Sequence, residues 1–281
     1  MSTLSDDKKG PDDPEELSRS WDWHVRRKLA WNSETSEKIL DLLYRDASQW
    51  VREAVAGNAR TSPQALVRLA EDSSGFVRAA VALNSRATSE ILDILAGDEM
   101  VDYDCTLQKN RYLVKEAVAR SQEINPATLD FLARDCDEHV RAAAASNPLL
   151  SMPSMARMVK DVFWEVRNNI ARNPSTPEDL LAFLSADRIM DVRATAAGNP
   201  RTPAAALAAL ASDKSWEVRE ALARNCNLDD RILEELAGHW SWMVRAAVAQ
   251  NPHTPAETLK RLAEDQDQSV QKAARERLHN F

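Results

Sequence analysis

Tryptophan and arginine side chains recur in this sequence at spacings that could bind a ligand. The chain has eight tryptophans, and one row of them stands two residues before successive Val-Arg pairs. A row of arginines stands six residues after valines of the same kind. Aromatic rings near guanidinium groups can hold an acidic or aromatic segment of a partner. The candidate partner-binding residues are Trp164, Trp216, Trp242, Arg120, Arg172, Arg224 and Arg245.

Both rows also have a structural interpretation. Met190 occupies the tryptophan position between Trp164 and Trp216, so large apolar side chains at this position can pack over a turn and join adjacent layers. An arginine near the end of a helix complements the helix dipole. The spacing alone leaves both interpretations open.

The sequence contains none of the motifs that mark common catalytic sites, such as GxGxxG, GxSxG and HExxH. Its five histidines share no metal-ligand spacing. The three cysteines are odd in number and form no CxxC pair, which predicts free, buried thiols rather than disulfides or a zinc site. We therefore expect no catalytic residues, no metal and no cofactor, and a protein that is not an enzyme.

Charge and hydropathy restrict the possible partners and compartments. The chain carries 36 basic and 44 acidic residues, a net charge of -8, which argues against general nucleic-acid binding. Hydrophobic residues make up 44% of the chain, enough to build a core. The N-terminus has no apolar signal region and no long apolar run follows, so we expect no membrane partner and a cytoplasmic location.

These side chains are carried on an internal repeat. A Val-Arg pair or a close relative recurs every 26 residues, except that Val114 follows Val77 by 37 residues. The longer interval indicates an 11-residue insertion at about 99–111. The pattern predicts nine full repeats and a partial C-terminal repeat. The repeat pairs begin at Val25, Val51, Val77, Val114, Val140, Val166, Val192, Val218 and Val244.

Each repeat predicts two helices. Alanine stands five residues after every repeat valine, where only a methyl group fits between closely packed helices. An asparagine such as Asn199 follows, and we expect it to end the first helix in the left-handed conformation. Thr-Pro pairs such as Thr202-Pro203 then predict an N-cap and the first residue of a second helix, in which Leu207 is apolar.

One aspartate per repeat precedes the next arginine by six residues wherever no insertion intervenes. A stacked ladder of such pairs can satisfy turn amides and bridge repeats, and the alternative is a stripe of arginines that binds an anionic ligand. His239 replaces the aspartate expected before Arg245, so we expect Arg245 to be freer than its equivalents. The predicted ladder contains Arg78, Arg141, Arg167, Arg193, Arg219, Asp72, Asp135, Asp161, Asp187 and Asp213.

The string VRxAVAxNPxTPxxxLxxLAxDxxWxVR, best matched in Val166–Asp265, resembles the leucine-rich repeat variant family, a relative of HEAT repeats. The resemblance implies an all-α, right-handed α-solenoid of nine 26-residue two-helix repeats without β-sheet, in which one helix of each unit can be 3₁₀. It also implies that the arginine-bearing helices line a concave groove. Some members bind an iron–sulfur centre through N-terminal cysteines, but the first cysteine of this chain is Cys105, so we expect no cluster.

The predicted organisation is a disordered acidic tail at 1–20 followed by the solenoid at 21–281. We expect a non-enzymatic scaffold that binds another protein along the concave groove. The main alternative is a nucleic-acid-binding HEAT-like protein similar to alkylpurine DNA glycosylases, which the acidic charge disfavours. An iron–sulfur redox protein is a third possibility, and it lacks the N-terminal cysteines that it would need.

Overall fold

The computed structural model describes residues 13–104 and 109–279. Packing divides the chain into two compact units, 1–147 and 148–281. The N-terminal unit contains helices α1 Pro14–Leu17, α2 Trp23–Trp31, α3 Glu37–Leu43, α4 Gln49–Gly57, α5 Pro63–Leu69, α6 Gly75–Ala82, α7 Ser89–Leu95, α8 Leu113–Arg120, α9 Pro126–Leu132 and α10 Glu138–Ser146, and strands β1 Asp102–Asp104 and β2 Lys109–Arg111. The C-terminal unit contains helices α11 Met152–Met158, α12 Trp164–Arg172, α13 Glu178–Leu184, α14 Met190–Gly198, α15 Ala204–Leu210, α16 Trp216–Ala223, α17 Asp230–Leu236, α18 Trp242–Gln250, α19 Ala256–Leu262 and α20 Gln268–His279.

Long and short helices alternate along the described chain in nine pairs, from α2–α3 to α18–α19, and α20 forms the partial last repeat. The predicted all-α solenoid of two-helix repeats is therefore confirmed. The short helices are α-helical rather than 3₁₀, as the hydrogen bond from Leu207 N to Pro203 O in α15 illustrates. No helix in the described chain combines the length and the apolar character needed to cross a bilayer.

The insertion departs from the expectation of a chain without β-sheet. Strands β1 and β2 pair in antiparallel register, with Asp102 opposite Arg111. The rest of the described chain keeps the helical repeat, so the hairpin is an addition between α7 and α8 rather than a change of fold.

The N-terminal boundary also differs from the sequence estimate. Residues 1–12 of the predicted tail lie outside the described part of the chain. Residues 13–20 of the predicted tail are folded, because Asp13 caps α1 by accepting a hydrogen bond from Glu15 N and α1 packs against α2. Ser18 is buried, so the folded part begins before residue 21.

The repeat valines and leucines form the core, as the helical spacing predicts. In the C-terminal unit, Val218, Leu222 and Ala223 make the buried stripe of α16. The alanine row is completely buried, and Ala223 has no exposed surface. The cysteines are not part of this core: Cys136 and Cys226 are free, as expected, but exposed. Cys105 lies outside the described residues.

We predict that Ala223→Leu lowers the free energy of unfolding by about 1–3 kcal/mol, because three added carbons have no space between the closely packed helices. Thermal unfolding followed by circular dichroism measures the effect. Ala208→Leu is the matched control, since Ala208 is exposed on α15. Equal melting temperatures for the two variants would show that the alanine row does not set the helix spacing.

Asn199 and Thr202 differ from the prediction in backbone conformation and in hydrogen bonding. Asn199 is extended, with φ -72° and ψ 125°, and it is not left-handed. Its Nδ2 donates to the carbonyl of Ala171 in the preceding repeat, and its Oδ1 accepts from Arg201 N. Thr202 does not cap α15, because its hydroxyl donates to Ala196 O at the end of the long helix. Pro203 occupies the N-cap position instead.

Candidate functional site

The arginines of the ladder form ion pairs with different aspartates from those that the sequence suggested. Arg193 binds both carboxylate oxygens of Asp213, with Nε to Oδ2 at 2.6 Å and Nη2 to Oδ1 at 3.1 Å. Its Nη1 donates at 2.8 Å to the main-chain carbonyl of Asp187. The ion pair therefore joins an arginine to the aspartate 20 residues later, while the aspartate six residues earlier supplies only its carbonyl oxygen.

The same pattern recurs in both units, and it satisfies most of the guanidinium donors internally. Arg141 donates to Asp135 O at 2.9 Å, and Asp161 O accepts from Arg167 at 2.7 Å. The arrangement favours the structural interpretation of the ladder over an anion-binding stripe. Ion pairs at this spacing include Arg26–Asp46, Arg52–Asp72, Arg78–Asp98, Lys115–Asp135, Arg167–Asp187, Arg193–Asp213 and Arg245–Asp265.

The expectation that Arg245 is freer than its equivalents is wrong. Arg245 makes the full set of contacts, with Nε 2.7 Å and Nη2 2.8 Å from Asp265 and Nη1 2.8 Å from His239 O. The substitution of histidine for aspartate affects Arg219 instead, because residue 239 is 20 positions after Arg219. Arg219 has no ion pair with a described carboxylate, and its Nε donates to Asp213 O at 2.6 Å.

The environments of the ladder carboxylates favour their charged forms. Burial alone raises the pKa of Asp213, but hydrogen bonds from Arg193 and Ser215 N and the charge of Arg193 outweigh it and hold the pKa below 3.8. The pKa of His239 is lowered below 6.5, first by burial and then by the charge of Arg219. His239 accepts a hydrogen bond from Ser241 N at 3.0 Å through Nδ1, the role that an aspartate oxygen has in other repeats.

The members of the predicted tryptophan row differ in burial. Trp216 and Met190 pack against the core of the C-terminal unit, which agrees with the structural interpretation of this position. Trp164 is half-buried, whereas Trp242 is 44% exposed at the start of α18. Of this row, only Trp242 is largely exposed, so the row does not form a continuous aromatic surface.

The predicted arginine row is also mixed. Arg224 pairs with Glu220 on its own helix at 2.6 Å, and Arg120 lies 3.5 Å from Glu116. Arg172 is exposed and has no ion pair with a described residue; it lines a shallow cavity of about 230 Å³ beside Gly198.

A larger cavity, of about 580 Å³, lies in the N-terminal unit. Helices α2, α4, α6 and α8 pack side by side in this unit, and we call the surface that they present the long-helix face. The cavity crosses all four helices and also includes a residue of β2. Its lining includes Trp31, Glu53, Phe76, Leu83, Arg111 and Glu116.

Aromatic side chains and a carboxylate form one end of this cavity. The guanidinium of Arg27 lies 5.7 Å from the ring centroid of Trp31 and 5.8 Å from that of Trp50. Burial raises the pKa of Glu53, and the charge of Arg27 opposes this effect. The buried Oε2 of Glu53 has no hydrogen-bond partner among the described residues. This end therefore offers apolar contact area beside one unsatisfied acceptor.

An ion cluster forms the other end of the cavity. Glu116 is only 1% exposed, and it accepts hydrogen bonds from Arg111 and, at 3.5 Å, from Arg120. Arg111 belongs to β2, so the hairpin of the insertion is attached to the long-helix face through this pair. Of the residues that line the cavity, only Arg120 was among the candidates that the sequence suggested.

The missed residues had a signal in the sequence. Phe76 stands one residue before a repeat valine, Glu53 two residues after one, and Trp31 and Leu83 six residues after one. Positions at these offsets share a helix face. Beside the tryptophan and arginine rows, the sequence has a row of glutamates two residues after repeat valines, which consists of Glu53, Glu116 and Glu220. Among the described residues, no group of three or more histidine, cysteine, aspartate or glutamate side chains could hold a metal ion.

The helix pairs, the stacked long helices and the internal ladder define an α-solenoid repeat protein. The sequence profile described as leucine rich repeat variant matches residues 190–215 and 242–267. The chain is therefore recognised as one that carries leucine-rich repeat variant repeats, as its sequence motif predicted. No curated protein sequence matches the chain significantly.

Solved structures agree with this fold. A protein described as a leucine-rich repeat variant with a novel repetitive structural motif is 24% identical, with 83% of this chain and 88% of that chain covered and a TM-score of 0.56. The Escherichia coli protein YibA is 18% identical, with 93% and 98% covered and a TM-score of 0.44. An engineered protein is 17% identical, with 95% and 98% covered and a TM-score of 0.42. Only the first of these three similarities is strong enough to bear on the fold.

Proposed function

We propose that this chain is a non-enzymatic scaffold that binds a segment of another protein, with the cavity on the long-helix face of the N-terminal unit as its anchor. The observation that carries the proposal is an open, mainly apolar cavity across the four long helices α2, α4, α6 and α8. Leu83 at its edge is 62% exposed and Trp31 is 65% exposed. Large apolar side chains at such exposure are typical of interaction surfaces when they cluster.

The chemistry of the cavity suits a protein segment. Burying one leucine or phenylalanine side chain against these walls contributes about 1.5–3 kcal/mol. The unsatisfied Oε2 of Glu53 is buried, and it can accept a hydrogen bond from a donor next to that side chain when the carboxylate turns toward the cavity. We expect the partner to present an apolar side chain with a hydrogen-bond donor beside it.

The ionisable groups of the cavity support a binding role rather than catalysis. Glu116 is held by two arginines, and Glu53 has no described nucleophile or second acid within hydrogen-bond distance. General acid–base catalysis needs a proton donor or acceptor placed against a reacting group, usually with a second group in support. The exposed free thiols of Cys136 and Cys226 suit a reducing compartment, and we propose a cytoplasmic location.

Filling the cavity tests this proposal. Gly57 lines the cavity, and a Cβ at this position would meet no heavy atom within 4 Å. We predict that Gly57→Phe occupies the cavity, keeps the fold and weakens partner binding at least about tenfold, as expected when a hot-spot pocket is lost. A partner is first captured with the wild-type chain and identified by mass spectrometry. Its affinity for each purified variant is then measured by calorimetry.

The matched control is Gly198→Phe. Gly198 ends α14 as Gly57 ends α4, and a Cβ there would likewise meet no heavy atom within 4 Å, but Gly198 lies in the C-terminal unit. Full affinity in Gly57→Phe would reject the cavity as the anchor. Recovery of nucleic acid without a bound protein would instead support the nucleic-acid alternative.

A further inference from the structure

One position of the arginine ladder lacks its carboxylate. Arg167, Arg193 and Arg245 of the C-terminal unit each hold the aspartate 20 residues later. Arg219 has His239 at that position and is half-buried. Nearby carboxylates are occupied, because Asp213 binds Arg193 and Glu220 binds Arg224. Arg219 is therefore a positive charge without a counter-ion among the described residues.

The guanidinium of Arg219 is nevertheless held in place. Its Nε donates to Asp213 O at 2.6 Å, whereas Arg193 and Arg245 use Nη1 for the equivalent carbonyl bond. Both terminal nitrogens of Arg219 consequently have no acceptor among the described residues. A guanidinium fixed at one edge loses less conformational freedom when its other edge binds an anion.

His239 keeps the turn intact without supplying a negative charge. Its Nδ1 replaces the aspartate oxygen that accepts the amide of the residue two positions later. Arg245 lies near the same imidazole, and its charge also lowers the pKa of His239. Because Arg245 is paired with Asp265, the unbalanced positive charge at this position is that of Arg219, in a chain whose net charge is -8.

An exposed aromatic side chain stands beside His239, the residue that replaces the ladder carboxylate of Arg219. Trp240 follows His239 directly, and their ring centroids are 5.3 Å apart. Trp240 is 77% exposed, and Trp242, two residues further on, is 44% exposed. Tryptophan and arginine are both enriched at binding hot spots.

We propose that Arg219 and Trp240 form a second binding site, which takes a carboxylate of an acidic segment from a partner protein. The ladder itself indicates the ligand, because the neighbouring arginines Arg193 and Arg245 each hold a carboxylate with two hydrogen bonds, through Nε and Nη2. Arg219 offers Nη1 and Nη2 instead, because its Nε already donates to Asp213 O. Trp240 supplies contact area for the segment that carries the carboxylate. The site lies in the C-terminal unit and does not depend on the cavity beside Glu53.

The test uses the full chain and a capped tetraglutamate peptide as the probe. Nuclear magnetic resonance follows the Nε–H signal of Arg219 and the indole N–H signal of Trp240, assigned with Arg219→Gln and Trp240→Phe. We expect both signals to shift with the peptide, with a dissociation constant in the millimolar range that an isolated charged contact gives. A capped tetraglutamine peptide should produce no shift.

His239→Asp separates a binding role from a structural one. This variant places an internal carboxylate on Arg219, so we expect it to melt at a higher temperature and to bind the peptide at least about tenfold more weakly. Arg219→Gln should bind equally weakly without the gain in melting temperature. Arg231→Gln, which removes an exposed charge elsewhere in the unit, should bind like the wild-type chain.

Two outcomes would overturn the proposal. The first is peptide binding of wild-type strength in His239→Asp or Arg219→Gln, which would place the acidic segment elsewhere. The second is a shift of the Arg219 signal with inorganic phosphate but none with the peptide, which would replace the carboxylate with a phosphate ligand.

Discussion

Replacing Asn225 with alanine is expected to lower the free energy of unfolding of the C-terminal unit by about 2–4 kcal/mol. The Asn225 side chain donates to Ala197 O at 2.8 Å and to Asn199 O at 2.9 Å, and it accepts from Asn227 N at 2.9 Å. Asn225 is almost completely buried. Its removal takes this partner from Ala197 O and Asn227 N, whereas Asn199 O keeps the hydrogen bond from Thr202 N at 3.1 Å, and each buried group left unpaired costs about 1–3 kcal/mol.

Chemical denaturation followed by circular dichroism measures this loss. Asn225→Asp is nearly the same size but lacks the donor, so we expect it to be destabilised as well. Asn227→Ala is the control, because Asn227 is exposed and its side-chain amide donates only to Pro200 O. A loss in Asn225→Ala no larger than that in Asn227→Ala would show that the asparagine bonds contribute little to stability.

Replacing Asp213 with asparagine should cost about 3 kcal/mol or more at neutral pH. The side chains of Arg193 and Asp213 are each 9% exposed, and the carboxylate also accepts from Ser215 N at 2.9 Å. Removal of one charge from a buried pair leaves the other without compensation, which typically costs about 3–5 kcal/mol. Asp191→Asn changes an exposed carboxylate in the same unit and should have little effect.

The pH dependence of this difference follows from the lowered pKa of Asp213. Because the native pKa lies below the ordinary value of 3.8, the carboxylate contributes its full stability above pH 3.8 and loses it as the pH falls through the native pKa. Asp213→Asn cannot titrate at this position. The stability difference between the wild-type chain and this variant should therefore shrink in acid, and a constant difference down to the acid transition would contradict the ion-pair explanation.

The sequence predicted those features that depend on local spacing. The 26-residue period, the buried valines and leucines and the fully buried alanine row all follow from helix geometry, and Ala223 is an example. Asn199 was misassigned because helix-ending preferences are local, whereas its hydrogen bond joins residues 28 positions apart. Arg245 was misassigned for the same reason, since its carboxylate partner is 20 residues away and not six.

The candidate site was harder to predict because it depends on how each helix is rotated. Trp216 and Trp242 occupy the same position in the repeat, yet Trp216 packs against the core and Trp242 is exposed. Glu53 shares its position in the repeat with Glu116 and Glu220, but Ala79 stands there in α6, so the row is interrupted and gave only a weak signal. The cavity follows from differences between repeats, and a consensus pattern hides such differences.

The asparagine bonds give the repeat array a direction. Asn84 donates to Ala56 O and Asn58 O, and Asn251 donates to Ala223 O and Asn225 O, so each donor points to the preceding repeat. Loss of a repeat from the C-terminal end of such an array removes donors and leaves carbonyls that water can reach. Loss from the N-terminal end instead uncovers the amide of the next asparagine, and Asn32 at the start of the row is exposed in this way. The two ends of the array therefore present opposite groups, and a capping segment has to supply donors at the C-terminal end and acceptors at the N-terminal end.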